Sequence, residues 1–286
     1  MKWTAGNRDN VEDVRAQSGG AGMRMGGLGL GGLLVVLILS WVTGVDFLSL
    51  VGPDAVSTGP SVSTGGGELR TTPEEEKLVD FVDAVMKDAQ EMWQTKLGGQ
   101  YRPTRAIIFR DATQSQCGFA QSATGPFYCP VDSLVYLDLG FFTELQQRFR
   151  APGDFAQAYV LAHELGHHVQ HLLGIETKVR QLQQARPDQQ NALSVRLELQ
   201  ADCFAGVWGH EAAQSGRAAV GKVELETGDV EEGLNAAASI GDDRIQRMSG
   251  TRVAPDRFTH GSSEQRVMWF RRGLESGNAQ ACETFQ

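Results

Sequence analysis

Apolar residues change their spacing several times along this chain, and each change predicts an element. Thr72-Pro73-Glu74-Glu75 reads as a capping box with proline at the first helical position. Leu78, Phe81, Val82, Val85, Ala89, Met92 and Trp93 then recur at helical spacing, predicting an amphipathic helix to about residue 97 with Trp93 in its core stripe. Ala106-Ile107-Ile108-Phe109 reads as a short buried strand. Residues 117–120 and 127–129, separated by Gly125-Pro126, read as two extended pieces joined by a turn, and 135–139 as a further strand. A short helix over 141–149 leads to Ala151-Pro152-Gly153. Asp154 as N-cap and Gly174 as stop then bound a helix of about 19 residues. Beyond Gly174 the chain is polar as far as Pro187, and helices are expected over 191–211, 229–248 and 263–274. Strands early and helices late predict an α+β domain, without internal repeats.

One stretch breaks this alternation. Residues 26–45 carry no charge and are rich in Leu, Val and Ile, and about 20 such residues suffice to cross a bilayer as a helix. Lys2, Arg8, Arg15 and Arg24 precede it, whereas Arg70 is the sole cation of the segment that follows up to Thr72. The positive-inside rule then predicts a single-pass protein of the cytoplasmic membrane: residues 1–25 cytoplasmic, 26–45 transmembrane, 46–72 a flexible Gly/Ser/Thr/Pro-rich linker, and 73–286 an extracytoplasmic domain. A cleaved leader fits less well, because the polar region ahead of the apolar run is long and no small-x-small site stands near Asp46. The net charge of −9 without a long basic run argues against a nucleic-acid partner. Four cysteines in an exported domain favour disulfides. Cys117 and Cys129 flank the expected turn and are the favoured pair, leaving Cys203 with Cys282; all three connectivities remain open to sequence.

The helix expected over 154–172 contains His163-Glu164-Leu165-Gly166-His167, an H-E-x-x-H pattern. Residues i and i+4 project from one helix face, so both imidazoles can reach one metal ion, and Glu164 lies beside it where a carboxylate can take a proton from water. A catalytic zinc site needs a third protein ligand and an open position. His171 lies roughly 12 Å along the helix from His163, too far for metal–nitrogen bonds of about 2 Å. His168 points about 100° away from His167. Both are expected at the surface or behind the ligands. Glu198 and Asp202 on the next long helix again stand at i and i+4; one can bind zinc while the other holds a ligand imidazole. Two acids on one face of an otherwise apolar helix also require a cation or donor nearby.

H-E-x-x-H followed by E-x-x-x-D resembles the gluzincin group of zinc peptidases. More closely, His163-Glu-Leu-Gly-His-His-Val-Gln170, Glu198-Leu-Gln-Ala-Asp-Cys-Phe-Ala-Gly206, Gly125-Pro-Phe-Tyr-Cys-Pro130 and Thr259-His-Gly261 resemble the YpfJ-like neutral zinc metallopeptidases of bacteria. The resemblance implies a zincin-like fold, Zn2+ held by His163, His167 and Glu198, Glu164 as catalytic base and Asp202 behind the ligands. It implies a zinc metalloendopeptidase with a protein or peptide substrate. A strand near Tyr128 or over 135–139 is expected to receive an extended substrate at a sheet edge. His260, on a loop that also resembles the Thr-His-Pro loop of membrane-bound stress metallopeptidases with glycine in place of proline, is the candidate for stabilising the tetrahedral intermediate. The competing reading is a membrane-anchored interaction protein with a vestigial or structural zinc site.

Overall fold

The computed structural model describes residues 1–18 and 69–285. Met1–Arg15 and Arg70–Gln286 form one compact unit; a second, Ala16–Leu69, falls almost wholly outside the described residues, and with it the expected span over 26–45 and the linker as far as residue 68. Among the described residues no helix is long and apolar enough to cross a membrane.

A four-stranded sheet runs in the order β1 (Val11–Asp13), β2 (Ala106–Phe109), β6 (Leu134–Asp138), β5 (Phe127–Cys129). β1, β2 and β6 are parallel; β5 returns antiparallel along β6, Phe127 opposite Tyr136 and Cys129 opposite Leu134. β3 (Ala112–Ser115) and β4 (Gly118–Gln121) make a separate antiparallel pair. Three expectations change here. The piece around 118–121 pairs backwards with β3 and not with 127–129, because Gly118 at a left-handed φ of 128° closes a tight turn before any longer turn is reached. Residues 135–139 lie inside the sheet, so β5 alone of the two candidates is an edge. Of the segment expected over residues 1–25, residues 1–15 are not apart from the domain, since β1 belongs to this sheet.

The helices wrap one side of the sheet. α1 (Pro73–Leu97) begins with the expected capping box, Thr72 and Glu75 exchanging hydrogen bonds of 3.2 and 3.1 Å. It buries Val79, Val82, Val85, Met86 and Ala89 completely, and Trp93 meets Phe204 edge-on at 5.2 Å. α2 (Gly140–Gln147) is short. α3 (Asp154–Leu172) holds the H-E-x-x-H pattern; Gly153 occupies the N-cap, Asp154 is the first helical residue, and Gly174 turns the chain at a left-handed φ of 69°. The polar stretch after Gly174 folds as α4 (Ile175–Ala185). Only Val179 of α4 is buried, so its sequence carries little apolar signal. α5 (Gln190–Ala212) follows. The single helix expected over 229–248 is two, α6 (Asp229–Ser239) and α7 (Asp242–Met248). Gly241 between them is extended at φ −71°, ψ 144°, and a Cβ there would fall 2.3 Å from the amide nitrogen of Ser263. That contact leaves no room for a side chain at the break. α8 (Ser263–Ser276) starts from a second capping box, Ser262 with Gln265. Disulfides Cys117–Cys129 and Cys203–Cys282 join all four cysteines, in the favoured pairing.

Candidate metal centre

Two close helix crossings build the site. A Cβ on Gly166 would lie 3.0 Å from the Cα and carbonyl oxygen of Ala201, so the glycine within the motif lets α3 rest against α5. His163 and His167 on one helix thereby face Glu198 on the other. Gly206 of α5 and Gly273 of α8 make the second crossing: a Cβ on Gly273 would lie 1.9 Å from the carbonyl oxygen of Cys203. That approach brings Arg266, about two turns earlier on α8, into the space behind Asp202.

His163, His167 and Glu198 each present a ligand atom, all within 4.8 Å of one another. Glu198 Oε2 stands 3.2 Å from His163 Nε2 and Oε1 stands 3.5 Å from His167 Nε2. Donors bound to one tetrahedral zinc at about 2.0–2.2 Å are separated by roughly 3.3–3.6 Å. The spacing and the N,N,O donor set therefore fit zinc, and three protein ligands leave a fourth position open. The rings are held from behind. His163 Nδ1 donates to Asp202 Oδ1 (2.9 Å), and His167 Nδ1 donates to Gln170 Oε1 (2.8 Å), so each Nε2 lone pair faces the centre. Gln170 is itself fixed, donating to the Leu197 carbonyl (2.7 Å) and to Gln200 (3.1 Å).

Asp202 lies behind His163, and its surroundings supply the cation its burial demands. Arg266 Nε and Nη2 donate to its two oxygens at 2.9 and 2.8 Å, and the Tyr159 hydroxyl donates to Oδ1. All three side chains are buried. Burial alone would raise the Asp202 carboxyl, but Arg266 and His163 bring it below the ordinary range. Sequence did not single out Arg266, Tyr159 or Gln170. Their signals were a cation on the buried face of α8, where Phe270 and Gly273 follow at i+4 and i+7, and polar residues sharing the motif's face of α3.

Without metal the centre holds protons. Burial pulls the His163 imidazolium down, yet Asp202 and Glu198 outweigh it and push the pKa up to about 10. His167 is raised in the same sense, burial being overcome by Glu198, and Glu198 is driven well below its usual value by the two imidazoles despite its own burial. Glu164 behaves differently. It is buried, and burial raises its pKa although both histidines and the Tyr128 backbone amide on β5 work against that. A carboxyl poised upward suits a base that must also return a proton.

His168 is not a surface residue. It is buried, accepting from the Tyr128 hydroxyl at Nδ1 (3.0 Å) and donating from Nε2 to the Arg102 carbonyl (2.7 Å), so it ties α3 to β5 away from the ligands. His171 faces Glu176 at 3.2 Å and takes no part. His260 opens onto the same groove as the ligands and Glu164, a space of about 620 Å³ also walled by Tyr128, Phe141, Phe149, Val160, Ile240 and Ile245. Asp242 controls it. One oxygen accepts from the amides of Thr259, His260 and Gly261 at 2.7, 2.7 and 3.0 Å, and the other lies 3.3 Å from His260 Nδ1, raising the imidazole pKa. Asp242 became available because the helix breaks at Gly241, which sequence periodicity did not anticipate. A second acidic group, Asp154, Asp229 and Glu232, lies elsewhere; the α-amino group of Met1 stands 3.1 and 3.2 Å from its two aspartates.

Residues 1–285 match the family described as "Putative neutral zinc metallopeptidase". YpfJ of Escherichia coli K12 is 47% identical over 296 aligned residues, covering 100% of this chain and 99% of that protein. Rv2575 of Mycobacterium tuberculosis H37Rv is 38% identical over 249 residues, covering 85% and 83%. No solved structure matches. With a family match over nearly its whole length and a full-length relative at this identity, the chain belongs to that neutral zinc metallopeptidase family.

Proposed function

We propose that this protein is a zinc-dependent endopeptidase that hydrolyses peptide bonds of a protein or peptide substrate, with Glu164 as general base. The observation that carries it is the convergence of His163, His167 and Glu198 at zinc-ligand spacing with a buried carboxyl, Glu164, beside them in an open groove. Zinc held by those three residues would supply a Lewis acid that polarises the scissile carbonyl and acidifies water. Glu164, its pKa raised by burial, takes the proton of the attacking water and passes it to the leaving amine. His260, held by Asp242 at the groove wall, donates to the developing oxyanion. Among the described residues β5 has one edge free of sheet partners and lines the groove, so an extended peptide can add to it as a strand. That geometry favours an unfolded segment or flexible loop as substrate.

The protein is further proposed to be held at the cytoplasmic membrane through residues 26–45, with the metal centre on the extracytoplasmic side. Two disulfides using every cysteine support an oxidising compartment. Full-length protein in detergent is expected to contain one zinc per chain and to cleave a peptide library, whereas Glu164→Gln retains zinc and loses cleavage. Zinc binding with no cleavage by the wild type would return the chain to the interaction-protein reading, and full activity in Glu164→Gln would remove the base.

A further inference from the structure

The residues ahead of the apolar run satisfy groups that the metallopeptidase domain buries. Asp83 of α1 is completely buried, and its carboxylate accepts from the Arg8 amide (3.2 Å), the Asn10 amide (2.9 Å) and Asn10 Nδ2 (3.0 Å). A Cβ on Gly6 would fall 2.5 Å from the same carboxylate, so the chain is pressed directly onto it. Asn10 Oδ1 accepts from buried Gln90 (3.0 Å), whose oxygen in turn accepts from the Thr104 amide (2.7 Å). Without residues 6–10 the Asp83 carboxylate would lose these three donors and Gln90 the acceptor of its amide, and a buried carboxylate without partners is strongly disfavoured.

The remaining contacts point the same way. Lys2 and Glu224 exchange backbone hydrogen bonds of 2.8 and 3.0 Å, and Trp3 meets Phe81 edge-on at 5.6 Å. Val11–Asp13 then pairs along the whole length of Ala106–Ile108. Arg8 binds Glu76 and Asp80 at 2.7 and 2.6 Å, and buried Arg15 binds Glu76 and Asp13 at 2.8 and 2.6 Å. Three of the four cations that made the N-terminal side look cytoplasmic are therefore paired with carboxylates of the folded unit, Lys2 lying 3.8 Å from Glu226. Paired strands lie about 4.8 Å apart, whereas the hydrocarbon core of a bilayer is about 30 Å thick. β1 cannot join β2 across that distance.

We infer that residues 1–15 and the metallopeptidase domain share one compartment, so that the apolar run over 26–45 attaches the protein to the membrane without carrying the N-terminal residues across it. This replaces the cytoplasmic placement expected for residues 1–15 of the segment over 1–25. It rests on the proposed function only in placing the domain outside. It also makes the N-terminal strand part of the enzyme: β1 closes one edge of the sheet whose opposite edge, β5, lines the groove that holds Glu164.

The test uses full-length protein in intact spheroplasts, where the native cysteines are paired and silent. Asn7→Cys and Glu275→Cys, both at exposed positions, are each treated with a membrane-impermeant maleimide before and after permeabilisation. Labelling of both before permeabilisation, to within about twofold, is the expected result. Labelling of Glu275→Cys alone would overturn the inference. Protection of both until permeabilisation would keep the shared compartment and refute the extracytoplasmic placement instead. As an independent measurement, Lys2→Cys/Glu224→Cys is oxidised in the same cells before lysis. A hydrogen-bonded antiparallel pair has Cα atoms about 5.5 Å apart, within disulfide range. Recovery of the 2–224 cross-link by peptide mapping is expected, and its absence under conditions that oxidise surface thiols would refute the packing.

Discussion

Asp202→Ala separates what the buried network does for the fold from what it does for the metal. Asp202 accepts from His163, from Arg266 through two donors and from Tyr159, all out of solvent. Truncation strands the Arg266 guanidinium, and removing one partner of a buried ion pair costs about 3–5 kcal/mol. It also frees the His163 ring, and loss of such a supporting partner typically weakens metal binding 10–100-fold, or about 1.4–2.7 kcal/mol. The two effects part in the double variant Asp202→Leu/Arg266→Met. An apolar pair of similar volume restores most of the stability, but a leucine side chain offers His163 no acceptor, so the affinity deficit stays. Denaturant unfolding of chelator-treated protein measures the first quantity, and competition against a chromophoric zinc chelator measures the second. Wild-type affinity in the double variant would mean that Asp202 acts on the metal only through the fold; wild-type affinity in Asp202→Ala would remove it from the site altogether.

Zinc stoichiometry should collapse in Glu198→Ala and persist in His171→Ala, since only the former faces the two imidazoles; metal analysis giving the reverse would move the centre. His260→Ala should lower kcat by a factor of about 10²–10³ with KM and bound zinc nearly unchanged, and Asp242→Ala should reproduce part of that loss by releasing the loop, whereas an unaltered kcat returns His260 to a structural role. In metal-free protein His163 titrates at about 10 against an ordinary 6.5. A folded pKa raised above the unfolded one contributes stability that is complete below about 6.5 and is lost as pH rises towards 10. Thermal scans in chelator should therefore show Tm falling between about pH 7 and 10, while zinc affinity rises over the same interval as the competing proton leaves. A flat profile in chelator would refute the assignment.

The features legible in the sequence were those set within a few residues of one another. The capping box at Thr72, the shared face of His163 and His167, and that of Glu198 and Asp202 all follow from helical geometry. Apolar spacing marked α1 and α5, and cap and stop residues bounded α3, but α4 was missed because burying one residue imposes almost no pattern. Even the demand for a cation beside Asp202 was local, since a buried acid requires one wherever it sits. Which cation answers that demand was decided by the Gly206–Gly273 crossing, 67 residues apart in sequence, that brings α8 against α5. The break at Gly241, and with it the role of Asp242, depends on Ser263 occupying the space a side chain would need. The partner of β2 was similarly out of reach. A parallel pair can join segments at any separation, and the strand that covers β2 lies about ninety residues upstream, beyond an apolar run whose flanking charges pointed to a different compartment. Local periodicity sets the elements and the faces of the metal ligands; long-range packing sets which edges meet and how each ligand is held.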